Sequence, residues 1–468
     1  MLLAAALIPF CGSLGSGFHF DDYAIFQDAA IRAPHGWFAV WNLRQTRPLT
    51  YFSFWLNYHL NGQAAAGYHA FNLLFHAAAA LLLYECLRRI APSAALFASL
   101  LFALHPLQSE PVNYIWARSI VLAALFTFAS WRDWLEGRVW RATALFALAL
   151  LAKEECAAFP LALVCLEWPL PRNRSRDLAL TAMFVLSLLA AVHVLYALAI
   201  TPGAPAGLHA GITPFHYFLA QGPVIWRYLR LAVLPFGFTV DPEITVPPAW
   251  LGIAAWFALA AAAVLLWRYS RWFAVALVLL LPSSSIFPAE DLAADRRMYL
   301  ALAAVAVAAT QFAQRVKCPA WLGGVVLALF AVVSVSRTSV WMSDERLWRE
   351  AVAASPDKVR PKVQLARNVA PAEALSLLAD ARRIAPNDPA IATETGKTLL
   401  CMGNAAAALS EFGRALALDP RNPEYYNNRG VALAALGQRD AARQDFEHAL
   451  QIAPDLMGAR QNLIRLEQ

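Results

Sequence analysis

Eleven apolar runs follow one another through the first 337 residues of this 468-residue chain, at 1–17, 67–87, 91–107, 111–131, 142–152, 156–170, 178–200, 249–267, 272–288, 298–316 and 319–337. Several reach the roughly 17–25 residues that a helix needs to cross a bilayer's hydrocarbon. The chain is 59% hydrophobic and 15% charged, against about 45–50% and about 25% in a usual soluble domain. That excess is too large for one water-soluble core. The expected fold is therefore all-α: a polytopic helical membrane bundle of about 11 spans over 1–337, then a separate domain over 338–468. The runs at 142–152 and 156–170 are short, and read as helices buried among others or as one broken hairpin. The stretch 214–235, broken by Arg227 and Arg230 beside Pro223, reads as interfacial or re-entrant. The first run reads as a retained helix, with a cleaved signal peptide as the alternative.

Charge orients the bundle. With the N-terminus inside, Arg88, Arg89, Arg132, Arg138, Arg141, Arg172, Arg174, Arg176, Arg268, Arg271, Arg315 and Lys317 all fall on inner turns, as basic residues flanking membrane helices do. Counting 214–235 as a crossing would put Arg268 and Arg271 outside. The segments 18–66, 201–248 and 289–297 and everything after 338 are then outer. An Ala-rich, Arg-over-Lys composition reads as bacterial, which makes the expected setting an inner (cytoplasmic) membrane with a periplasmic C-terminal domain. The net charge of +6 comes without a basic block or RNA-binding motif, so no nucleic-acid partner is expected. None of the six cysteines forms a CxxC pair; they read as small buried hydrophobes.

The C-terminal residues repeat at a fixed interval. Pro386, Pro420 and Pro454 lie 34 apart, as do Gly396 and Gly430, Ala408 and Ala442, Phe412 and Phe446, and Ala415 and Ala449. Thirty-four is the tetratricopeptide (TPR) period, with small and aromatic residues where its two helices cross. Ala374, Leu378, Ala381 and Pro386 fit the second helix of an earlier, degenerate repeat. About two and a half to three repeats result, near the minimum for a stable stack. Thr393, Lys397 and Asn427 fall at groove-type positions of the inner helices, where an acceptor or partner protein would bind.

Charged residues at membrane depth are costly and mark functional cavities. Here they gather on the outer side: Asp21 and Asp22 after the first run, His105 and Glu110 after the third, Arg118 at the start of the fourth. Lys153 and Glu154 join two short runs, and Glu290, Asp291, Asp295, Arg296 and Arg297 fill a late loop ahead of Tyr299. Each has an ordinary reading as a helix end, a self-paired turn or an interfacial side chain. Together, acids and bases on one side of an apolar body point to a site for an anionic, lipid-linked substrate.

These residues sit in blocks that carry a resemblance: FHFDDYAIFQD (18–28), RPLTYFSFWLNY (47–58), GYHAFNLLFHAAAALLLY (67–84), FALHPLQSEPVNYIWAR (102–118), LAKEECAAFP (151–160), ADRRMYL (294–300) and SVWMSDERLWREAVAASP (339–356). In that order they resemble the transmembrane and TPR-containing O-mannosyltransferase family and its bacterial relatives, polytopic glycosyltransferases of the GT-C class. The resemblance implies transfer of a sugar, mannose among the candidates, from a polyprenyl-phosphate donor to a hydroxyl acceptor such as a protein, on the outer side. It implies Asp21 and Asp22 as the catalytic pair, and His105, Glu110, Arg118, Lys153, Glu154, Asp295, Arg296 and Tyr299 around the donor's phosphate and sugar. Ser119 stands where relatives often carry an acid, and the TPR array is short beside eukaryotic relatives, so the acceptor and the sugar stay open.

Such a transfer needs a base for the hydroxyl, cations or donors for the departing phosphate, and an apolar slot for the lipid. A two-carboxylate glycoside hydrolase would share the acids but use water and need no lipid groove. No motif demands a cofactor, and two adjacent acids leave a divalent metal open. Two other readings stay open: a non-catalytic TPR membrane scaffold for envelope assembly, and an oligosaccharide polymerase or ligase.

Overall fold

The computed structural model describes residues 1–167, 173–200, 211–289 and 291–468. Arg172 and Glu290 lie outside the described residues. Among the described residues the regular elements are helices, and the chain separates into two compact units, Met1–Ser343 and Asp344–Gln468.

The first unit is built from α1 (Leu2–Leu7), which continues as a 3-10 helix to Gly15, then α2 (Pro48–Asn61), α3 (Ala65–Ile90), α4 (Pro92–Leu104), α5 (Arg118–Leu135), α6 (Val139–Ala152) and α7 (Phe159–Glu167). It goes on with α8 (Arg174–Ile200), α9 (Pro214–Val233), α10 (Ala249–Trp267), α11 (Trp272–Leu280), α12 (Met298–Arg315) and α13 (Ala320–Val340). Each of the eleven apolar runs contains at least one helical segment. Four of them, α3, α8, α10 and α13, are long and apolar enough by themselves to cross a membrane, or up to six spans if two bent pairs are counted. That is fewer full-length spans than the runs promised, and the reason is local. At His105 and Lys153 the backbone turns extended, ending α4 after 13 residues and α6 after 14, and short 3-10 turns take over. Irregular backbone at membrane depth is tolerated where it is buried in protein or lines a cavity, and both breaks border the candidate site.

The outer helices carry their apolar side chains outward. Only 11% of the apolar window is buried in α8 and in α10, and 17% in α13. Leu188 on α8, Phe257 and Val264 on α10, and Val332 on α13 stand exposed. Apolar patches of that extent do not face water on a soluble monomer; on helices of this length they form the surface of a membrane protein.

The two ends of the unit differ in charge. At one pole Arg89 and Arg138 pair with Glu136, and Asp133, fully buried, is ringed by Arg132, Arg138 and Arg141 at 3.2, 3.6 and 2.9 Å. Arg176 pairs with Glu167 at 3.1 Å. The opposite pole gathers the segments around Asp21, Glu110, Glu154 and Asp295. There α9 lies along segment 283–295: Tyr217 donates to the Ser283 carbonyl, Gln221 to the Leu292 carbonyl, and Arg227 pairs with Asp295. α13 ends at this pole, where Trp341 stacks on Tyr114 at 5.8 Å.

The second unit is a TPR solenoid: α14 (Asp344–Ala354), α15 (Val359–Ala366), α16 (Pro371–Ile384), α17 (Pro389–Cys401), α18 (Ala405–Leu418), α19 (Pro423–Ala435), α20 (Arg439–Ile452) and α21 (Met457–Glu467). Asp388 and Asn422 cap α17 and α19, accepting from Ala390 N at 2.9 Å and Glu424 N at 3.0 Å ahead of a proline in the first turn. The 34-residue spacing has a steric cause. A Cβ on Gly396 would come within 2.6 Å of the Phe412 ring, and one on Gly430 within 2.6 Å of Phe446. Ala374, Leu378 and Ala381 of α16 close on Val363 and Ala366 of α15, which is the degenerate first repeat.

Candidate active site

The first loop bends sharply after the initial helix and places its two acids in opposite settings. Asp22 is fully buried and accepts two backbone hydrogens, His19 N at 2.9 Å and Trp116 N at 2.7 Å. Burial pushes its carboxyl up to about 7, against the pull of those N–H groups and of the His19 ring. Asp21 is exposed, and one of its oxygens accepts from the Tyr114 hydroxyl at 2.8 Å. Asp22 thus clamps the loop to the 114–116 segment, and Asp21 is the carboxylate of the pair that reaches the outside.

A line of charged pairs runs from there. One helical turn before Tyr114, the Glu110 carboxylate accepts from the Arg296 guanidinium at 2.6 Å and from Arg296 N at 3.1 Å. Arg296 also faces Asp291 at 3.6 Å. Its neighbours Asp295 and Arg297 bind Arg227 and the Tyr217 hydroxyl respectively. Arg297, Lys153 and Glu155 line one cavity with Ile120, Leu279 and Leu300. Lys153 pairs with Glu155 at 2.9 Å. Burial lowers its ammonium to about 8, with Glu155 opposing. Glu154 turns the other way and takes Arg47 in a two-point contact at 2.7 and 3.2 Å. Burial pushes the Glu154 carboxyl up, but Arg47 outweighs it and holds it at about 2.

The expected donor-side residues therefore divide. Glu110, Lys153, Glu154, Asp295 and Arg296 share the line of ion pairs, with Glu110, Lys153 and Asp295 buried in it. Three others are packed behind it. His105 caps the break after α4, its ring hydrogen-bonded to the Ala232 carbonyl at 3.0 Å and accepting from Leu107 N at 3.1 Å. Tyr299 is fully buried, its hydroxyl 2.8 Å from His76 Nδ1 and its ring edge-on to Phe102. Arg118 is fully buried, with Asn72 Oδ1 and Asn57 Oδ1 each at 2.8 Å, the Tyr68 carbonyl at 2.9 Å and Phe54 beneath it at 4.6 Å. Among the described residues Arg118 forms no ion pair. It joins three of the recognised blocks, 47–58, 67–84 and 102–118, at one point.

Arg47, Tyr114, Glu155 and Arg227 were assigned no part from sequence. Arg47 and Tyr114 stood inside the blocks, but their partners are 107 and 93 residues away. No local spacing announces such a pair. Among the described residues no three His, Cys, Asp or Glu side chains group as a metal site.

In the TPR unit, Thr393 is buried and donates to the Pro389 carbonyl at 2.9 Å. Asn427 accepts from Asn462 at 2.9 Å, bridging α19 to α21. Lys397 touches Glu394 at 3.0 Å but leaves nearly half its side chain exposed. All three lie on the first helices of their repeats.

Residues 396–437 match a family model described as TPR repeat, and 423–456 one described as tetratricopeptide repeat. The chain is also similar to proteins named as enzymes. The chain is 30% identical over 271 residues to the fruit-fly "Protein O-mannosyl-transferase Tmtc2", covering 49% of this chain and 28% of that one. It is 29% identical over 149 residues to a Caenorhabditis elegans protein O-mannosyl-transferase, covering 28% and 22%. It is 32% identical over 120 residues to human "Protein O-mannosyl-transferase TMTC3", covering 23% and 13%. The matched stretches thus span less than a third of these relatives' own lengths. Among solved structures, a TPR protein of Thermus thermophilus is 21% identical over 30% of this chain and 80% of its own, with a TM-score of 0.25. The first TPR domain of RPAP3 bound to an HSP90 peptide is 26% identical over 21% and 78%, with a TM-score of 0.20.

Proposed function

We propose that the chain is a membrane glycosyltransferase that moves a sugar, mannose by the names of its relatives, from a polyprenyl-phosphate donor to a hydroxyl of a protein acceptor. The observation that carries this reading is the split pair: an exposed Asp21 held by Tyr114, on a loop fixed by the buried Asp22. Asp21 takes the acceptor's proton as its oxygen attacks the anomeric carbon. The bond from that carbon to the phosphate oxygen breaks, and the electron pair leaves with the polyprenyl phosphate. Arg296, Arg297 and Lys153 supply positive charge to the departing phosphate. Arg118, boxed in by neutral partners, positions the first-loop and 114–118 segments rather than the substrate.

The basic residues that set orientation collect at the pole opposite Asp21. That supports a site facing away from the cytoplasm, periplasmic in a bacterial inner membrane. The TPR unit follows α13, which ends at the site's pole, so we place it on the same side, where its groove takes an extended segment of the acceptor or a partner protein.

Comparing envelope glycoproteins by mass spectrometry with and without the gene tests the reading. A hexose lost from Ser or Thr of specific proteins supports it. An unchanged glycoprotein profile beside mislocalised envelope proteins would favour a TPR scaffold.

A further inference from the structure

The pole opposite Asp21 holds a cavity of about 620 Å³ for which the proposed reaction has no use. It opens where the turn Trp267–Trp272, between α10 and α11, meets the ends of α3, α5, α7 and α12. Arg268, Arg271 and Arg315 line it. The Arg271 guanidinium carbon lies 5.6 Å from the Trp267 ring centre, and that of Arg315 lies 5.5 Å from Tyr269. A guanidinium over an aromatic face is held without consuming its N–H donors, which leaves those of Arg315 to suit an anionic oxygen, whereas Arg271 also donates to the Leu166 carbonyl at 3.4 Å. Among the described residues, Arg268 and Arg315 form no ion pair. The one acid in the wall, Glu167, has both oxygens taken, by Trp134 Nε1 at 2.8 Å and Arg176 at 3.1 Å. Ser270 binds Gln311 Oε1 at 3.0 Å, so the Gln311 NH2 is the end of that amide left to donate. Ile90, Leu135 and Leu166 complete the wall with apolar surface.

Orientation alone needs arginines at this pole but not a concave site lined by them. Arg88, at the same pole, pairs with Glu85 and does not line the cavity. We propose that the cavity binds the phosphate of an anionic headgroup, its apolar wall favouring one carried by a membrane lipid. Basic pockets between membrane helices take phosphate-bearing headgroups in this way. The inference does not depend on the transferase reading.

The test is native mass spectrometry of the full chain, purified in detergent and exposed to phosphatidylglycerol or phosphatidylcholine, with and without excess inorganic phosphate. The protein should retain phosphatidylglycerol over phosphatidylcholine. The Arg268→Gln/Arg315→Gln double variant, altered at two exposed positions, should retain it about thirtyfold less, and Arg88→Gln should match the parent. Retention that inorganic phosphate fails to displace assigns a lipid; displacement assigns a soluble phosphate to the same arginines. Equal retention of both lipids, an undiminished preference in the double variant, or an equal loss in Arg88→Gln would overturn the site.

Discussion

Tyr114 donates its hydroxyl hydrogen to Asp21 across 2.8 Å, joining two segments 93 residues apart. Two residues on, Trp116 N fixes Asp22. Asp21 is therefore aimed from one side by a phenol and from the other by a buried, clamped neighbour. Tyr114→Phe should lower the transfer rate about tenfold to a hundredfold with little change in acceptor KM, since it loosens the base without removing it. A change in KM alone, read by initial-rate kinetics, would place Tyr114 in acceptor binding instead.

Asp22 makes stability depend on pH. Its carboxyl sits at about 7 in the folded protein against an ordinary 3.8. Between those values the folded state holds the proton more tightly than the unfolded one. Stability is greatest below about pH 4 for this group and falls as pH rises toward 7, with a slope approaching about 1.4 kcal/mol per unit. Thermal unfolding in detergent should show this decline in the parent and not in Asp22→Asn. The Asn variant should also be weakened by roughly 1–3 kcal/mol, because its amide accepts from one of the two backbone N–H groups and opposes the other. A parental slope persisting in Asp22→Asn would assign the titration elsewhere.

Lys153, lowered to about 8 by burial, should impose an alkaline limb on transfer. The rate falls as pH rises through about 8, where the ammonium loses its charge and its pull on the departing phosphate. Lys153→Arg should move that limb upward, because a guanidinium stays charged. A limb unmoved in Lys153→Arg would remove this residue from phosphate stabilisation.

The TPR repeat admits a steric test. Gly430→Val would drive a side chain into Phe446, whose ring lies 2.6 Å from where even a Cβ would sit. Overpacking of this kind costs about 1–3 kcal/mol. It should lower the melting point of the TPR unit and weaken transfer to the natural protein acceptor. Transfer to a small hydroxyl surrogate should survive both this change and deletion of 386–468. Equal loss for both acceptors would mean the TPR unit supports the membrane unit rather than the acceptor.

Much of this was legible in the sequence, for physical reasons. Apolar runs must be helices in lipid, because no other segment satisfies its own backbone there. The 34-residue interval survives because Gly396 and Gly430 admit no Cβ beside Phe412 and Phe446. The candidate site was only partly legible. Residue type marked Asp21, Asp22, Glu110, Lys153 and Arg296 as out of place in a membrane, but it could not rank the two acids. Their difference comes from Trp116 and Tyr114, which only the fold brings near. His105, Arg118 and Tyr299 looked like donor ligands for the same reason the others did. In the fold their polar groups are spent on Ala232, on Asn57 and Asn72, and on His76. Lys153 and Glu154, adjacent and opposite in charge, turn to different partners because the extended backbone at Lys153 sends successive side chains apart.

The most direct measurement is transfer of labelled mannose from a polyprenyl-phosphate donor by the purified, reconstituted full chain, parent against Asp21→Asn. The parent should transfer, and the variant, equally folded and monodisperse, should be slower by about 10²–10⁴, the usual contribution of a general base. Transfer by Asp21→Asn at the parental rate would contradict the account.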